Sequence, residues 1–150
     1  MMQANTFAAY NQALYEFWSS FLYNGEYLPA YISGHVPPDK EDHFPYWTYE
    51  VKHGEFGSTA IVTSFLWFQQ SMEPTAPSAW SHIADVMSMV ENAIPPAGRW
   101  LAFAGGGVLL RRNGPNFISS YDPAQDSGEN VIATPIRGGR VSYTIQFFMK

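Results

Sequence analysis

Four carboxylates lie close together in the first half of the chain: Asp39, Glu41, Asp42 and Glu55. Paired acids are the raw material of general acid–base catalysis, which requires burial or a neighbouring charge to hold one of the pair protonated. The run Ser33-Gly34-His35-Val36-Pro37-Pro38-Asp39-Lys40-Glu41-Asp42 carries two prolines and four charges. It reads as an exposed loop without the burial that such chemistry needs, so these acids keep the loop hydrated. His35, His43 and His53 follow no metal-ligand spacing, and His82 with Asp85 shares a helical face at i, i+3 without a third ligand nearby in sequence. Gly57-Ser58-Thr59 offers neither the elbow nor the placed histidine of a serine nucleophile. Gly105-Gly106-Gly107 follows a strand but leads into another strand, so no helix N-terminus is there to hold phosphate; the glycines form a hairpin turn. The residues thus point to no catalytic, cofactor or metal site, and to a protein that is not an enzyme.

Arg111-Arg112 admits two readings. The pair either deters strand pairing at a sheet edge or donates to an acidic patch on a partner subunit. The basic residues Arg99, Arg111, Arg112, Arg137, Arg140 and Lys150 fall in the second half, most acids fall in the first, and the net charge is −5. Capture of duplex DNA through its phosphates needs clustered Lys and Arg, which are absent beyond that pair. A weakly acidic wall instead lets a strand slide past.

After Arg112 comes an unpatterned stretch from about Asn113 to Asn130. Loops of this length inside compact domains usually carry function. Phe117, Ile118 and Tyr121 are apolar anchors that such a loop would order against a neighbour. On this reading Phe117→Ser or Tyr121→Ser leaves the fold intact and weakens association.

The elements that position these groups follow from periodicity. Asn5 or Thr6 caps a helix with Phe7, Tyr10, Leu14, Phe17, Trp18 and Phe21 at helical spacing, and Asn24-Gly25 ends it. An extended piece, Tyr27 to Ile32, precedes the charged loop. Phe44 to Val51 alternates as a strand, Trp47, Tyr49 and Val51 on one side and Tyr46, Thr48 and Glu50 on the other. It turns at His53 to Gly57 into a second strand, Ser58 to Phe68. Ser78 caps a helix to about Ala93, with Trp80, Ile83, Ala84, Met87, Val90 and Ile94 as its stripe, and Pro95-Pro96 stops it. Trp100 to Ala104 pairs with Val108 to Arg112 through the glycines. Val131 to Ile136 pairs with Arg140 to Phe148 through a Gly138-Gly139 turn. The order predicts an α+β fold: a mixed, mainly antiparallel β-sheet with two helices packed on one face, in one domain over 1–150. The other face is left for another copy or a partner.

Composition agrees with that incompleteness. Charged residues are 14% of the chain, against roughly 25% in an average soluble protein, while aromatics reach 17%. Sparse charge with abundant Tyr and Trp marks either interface cores or an aromatic-rich interior beneath a bland polar surface. The absence of cysteine gives no redox cue. Met1 to Ala9 lacks the pattern of a signal peptide, and no run approaches the ~20 apolar residues of a membrane span, so the chain is expected to be soluble when made.

Several segments together resemble the tail terminators, or tail-completion minor capsid proteins, of long-tailed bacteriophages, the lambda-type terminator group. They are Phe44-Pro45-Tyr46-Trp47-Thr48-Tyr49-Glu50 with Gly54-Glu55-Phe56-Gly57, the helix near Trp80 ending at Ile94-Pro95, the run Gly106 to Phe117 ahead of Asp122, and Arg140-Val141-Ser142-Tyr143-Thr144-Ile145. The longer aromatic N-terminal helix, Trp100 to Ala104 and Val131 to Ile136 depart from that pattern. The resemblance implies a non-catalytic virion subunit, without cofactor, made in the host cytoplasm. It forms a ring of six copies at the head–tail junction, caps the tube of major tail protein and meets the head-completion or connector ring. DNA passes through its lumen without specific binding, and no membrane is involved. By position it makes the loop of Asp39, Lys40, Glu41 and Asp42 and the loop after Gly114, with Phe117, Ile118 and Tyr121, the partner-contact elements; Arg111 and Arg112 join them on the partner-donor reading. A head-completion or stopper subunit shares the setting. A small α+β hydrolase or ligand-binding domain would instead need a concave pocket with converging polar groups.

Overall fold

The computed structural model describes residues 6–52, 57–71, 73, 75–121 and 136–149. Among these residues two helices and nine strands follow one another as α1 (Thr6–Trp18), β1 (Leu22–Tyr23), β2 (Glu26–Tyr27), β3 (Ala30–Ile32), β4 (Tyr46–Tyr49), β5 (Thr59–Gln69), α2 (Ala79–Ala93), β6 (Arg99–Phe103), β7 (Gly106–Arg112), β8 (Ile118–Tyr121) and β9 (Ile136–Met149). The main sheet runs β3-β4-β5-β9-β7-β6, with β8 also on β9. Among the described strands only β3 and β4 pair parallel; the fold is α+β, mainly antiparallel, as the sequence predicts.

Alternate residues of β9 show that both helices cover the same face. Gly139 lies beneath Met87 and Ile83 of α2, while Tyr143 packs on Trp18 and Phe147 on Tyr10 of α1. The core fills this layer with Leu14, Trp47, Leu66, Val90, Leu110 and Ile145 among others. A buried polar chain crosses it. The Trp18 indole N–H donates to the Tyr143 hydroxyl at 3.2 Å, and that hydroxyl lies 3.2 Å from Ser64 Oγ, so burying these groups leaves them paired. Burial pushes the Tyr143 hydroxyl up to about 12, against the opposing help of Ser64 and Trp18.

Several boundaries differ from the sequence reading, each for a local reason. Helix α1 stops at Trp18, because the Ser19 and Ser20 hydroxyls donate back to the Tyr15 and Phe17 carbonyls at 2.7 and 2.6 Å and satisfy its open end. Asn24-Gly25, both at positive φ, is instead the two-residue turn of the β1–β2 hairpin. Ser78 caps α2 as expected, its Oγ accepting from the Ser81 N–H at 3.2 Å. The buried stripe of α2 is Ala79, Ile83, Val86, Met87 and Val90, so Trp80 and Ala84 lie outside it. The β6–β7 hairpin forms, but its turn is Ala104-Gly105, and Gly106 and Gly107 belong to the strand.

The largest difference is at Gly138-Gly139, which is no turn. Both residues lie within β9, which pairs with β5 along the whole register from Ile136↔Gln69 to Gln146↔Thr59. Their bareness makes room for neighbours: a Cβ on Gly138 would sit 2.9 Å from the Trp67 ring, and one on Gly139 would collide with Met87 and Ile83. The stretch after Arg112 is also structured. A short 3₁₀ turn, Gly114–Asn116, leads into β8, which continues along the same edge of β9 that β7 occupies further on. The cap at Asn5, the turn at His53 to Phe56, residues 122–130 of the expected loop and Val131 to Pro135 lie outside the described residues.

Candidate interaction surface

The face of the sheet away from the helices has no covering layer among the described elements. Period-two alternation gives it Phe65 and Trp67 from β5, Trp100 from β6, Leu109 and Arg111 from β7, and Phe148 from β9. Ile61 and Trp100 remain 55% and 49% exposed, values at which large apolar side chains meet water directly. Trp100 lies over Gly107, where any Cβ would strike its ring, and it contacts Phe148 at 5.5 Å. At the other end Phe65 stacks on Trp67 at 5.2 Å, and Tyr121 of β8 meets both rings. Strand β4 has both sides buried because Tyr31, Phe44 and Trp67 crowd this face around Tyr46 and Thr48.

The residues singled out by the sequence separate into two groups. Asp39 and Lys40 lie in a 3₁₀ turn, Pro38–Lys40, and with Glu41 and Asp42 they are exposed beside the β4 margin. Arg111 is exposed on the open face of β7, and Tyr121 is half-buried there. Arg112 points the other way. Its Nε and Nη2 donate to the carbonyls of Ile94 and Glu91, each at 2.8 Å, and its guanidinium lies 4.9 Å over the Phe117 ring. Neither reading of the arginine pair describes Arg112, whose charge satisfies the C-terminal end of α2. Phe117 is 6% exposed and part of the core, and Ile118 packs against that core. The expectation that Phe117→Ser spares the fold is therefore corrected: its ring fills the space between Arg112 and the interior.

Sequence spacing did bring out His82 and Asp85, while their partner Tyr23 stands far away in the chain. The Tyr23 hydroxyl lies 2.6 Å from His82 Nδ1 and donates to Asp85 Oδ2 at 3.4 Å, and His82 stacks on Phe68. Desolvation, then the Asp85 carboxylate, raises the Tyr23 pKa. This cluster borders a cavity of about 530 Å³ between the β1–β2 hairpin, Phe44-Pro45 and the end of β5. Among the described residues no three His, Cys, Asp or Glu side chains converge as a metal site would need. No described helix is long and apolar enough to cross a membrane.

Compared with protein-family models, curated proteins and solved structures, the chain matches none.

Proposed function

We propose that this chain is a structural virion protein, a tail-terminator subunit that assembles with identical copies into a six-membered ring at the head–tail junction. The observation that carries the reading is a sheet face without a covering layer among the described elements, with Ile61, Trp100 and Phe148 exposed together on a chain of unusually low charge. Permanent interfaces bury roughly 2,000–5,000 Å² and are composed like a core cut in half. A sheet with helices on one side and large apolar groups on the other supplies half of such a core. The occupant argued for is a second copy, because every copy carries the same unsatisfied surface and sparse charge offers little to repel it. The resemblance of its segment order to the terminator group supports a position for that ring between the tube of major tail protein and the connector.

In this reading the chain performs no catalysis, and its net negative charge suits a bore through which DNA slides without capture. A head-completion or stopper subunit fits the same surface and differs in its partner. A ligand-binding domain is the second reading, favoured by the cavity beside Tyr23, His82 and Asp85.

Native mass spectrometry and negative-stain imaging of the purified protein, followed by mixing with tail-tube subunits, test the proposal. Closed rings that seat on one end of tubes are the expected result. A monomer at every concentration that ignores tubes overturns it, and rings that bind a connector but not tubes transfer the assignment to another neck protein.

A further inference from the structure

We infer that a second, aromatic-walled cavity, beside the Asp39–Asp42 loop, is a receptor for an arginine side chain presented by a protein partner. The cavity is an open cleft of about 460 Å³, lined by the rings of Phe44, Tyr46 and Trp67 and by Val36 and Ile136, with Glu41 and Asp42 among its lining residues. Phe44 and Tyr46 lie parallel with centroids 5.1 Å apart. The Tyr46 hydroxyl donates to the Glu41 carbonyl at 3.1 Å, fastening the acidic loop to the aromatic wall. The Trp67 indole N–H is already engaged by Thr48 Oγ1 at 2.9 Å, so the indole holds a fixed place in that wall. Among the described residues no cation pairs with Glu41 or Asp42. Burial, then the Glu41 and Asp42 carboxylates, raises the Tyr46 pKa, which places their negative potential at the wall itself.

Aromatic walls with two carboxylates repel anions and favour a cation that sheds water readily. Guanidinium fits better than ammonium, being planar, weakly hydrated and able to stack on flat rings while its N–H groups reach carboxylates. The protein already uses this chemistry internally, with Arg112 over Phe117 and Arg99 over Phe17 at 4.9 and 5.7 Å. The inference does not depend on the ring, since the residues named in the cleft all belong to one chain.

The test uses the full chain labelled with 5-fluorotryptophan, the Trp67 signal being identified with Trp67→Phe and, independently, by its response to Thr48→Val. N-acetyl-arginine amide is titrated against N-acetyl-citrulline amide, which has nearly the same shape without the charge. The arginine probe is expected to move the Trp67 fluorine resonance saturably and the citrulline probe to leave it in place. Glu41→Gln combined with Asp42→Asn, both exposed positions, weakens the arginine response about tenfold while the other tryptophan signals stay put. A citrulline response of equal size, an arginine response unchanged in the double variant, or no saturable shift overturns the inference.

Discussion

Arg111 and Arg112 are neighbours in sequence, yet strand alternation sends them to opposite sides of β7 and gives them opposite roles. Arg111 stays at the open face, whereas Arg112 holds the end of α2 through the carbonyls of Glu91 and Ile94 and covers Phe117. Charge-assisted hydrogen bonds of this kind contribute about 1.5–3 kcal/mol each before neighbours relax. Arg112→Gln is expected to lower stability by about 1–3 kcal/mol in urea unfolding, and Arg111→Gln by less than about 0.5 kcal/mol. Phe117→Ala is expected to cost about 3–5 kcal/mol, the range for emptying a buried aromatic site. If Phe117→Ala left the urea midpoint in place, its position in the core would be refuted.

At the scale of elements, β9 organises the molecule. One of its edges pairs with β5, and the other is divided between β7 and β8, so three partners depend on one register. That register passes through Gly138 and Gly139, which must remain without side chains beneath Trp67 and Met87. Gly139→Ala is expected to destabilise by about 1–3 kcal/mol through overpacking against Met87 and Ile83, with Met87→Ala in the same chain recovering part of the loss. Thermal melts of the two single variants and the double variant measure this coupling. Simple additivity would count against the packing account.

For the whole molecule, buried tyrosines predict how it fails in alkali. Tyr143 titrates near pH 10.0 when unfolded and is pushed up to about 12 when folded; burial also raises Tyr10 strongly. A raised folded pKa means that this stability is fully present below pH 10 and is lost as pH rises through about 12, because the unfolded chain gives up the proton first. Chemical denaturation repeated between pH 9 and 12 is expected to show a steep fall, shallower in Tyr143→Phe. The exposed sheet face makes a separate prediction at this scale. If copies of the chain assemble through this face as proposed, Trp100→Ser with Phe148→Ser, which removes two large groups that already meet solvent, is expected to change melting of the single chain little and to abolish self-association. Analytical ultracentrifugation decides it, and unchanged assembly would remove this face from the contact.

Period-two alternation in 44–51, helical spacing in α1 and α2, and the Ser78 cap determined the α+β class from sequence alone, because each is a local relation between neighbouring residues. Composition likewise set out the shortage of charge. What only the tertiary structure decided were relations between distant segments: that Gly138-Gly139 continues a strand, that Phe117 is interior, that Arg112 caps a helix, and that Tyr23 joins His82 and Asp85. A pair of glycines reads identically as a turn or as clearance for an indole until the neighbour that needs the space is known. The aromatic cavity was hidden for the same reason, since Phe44, Tyr46 and Trp67 converge with Glu41 and Asp42 only when β4 and β5 pair in register.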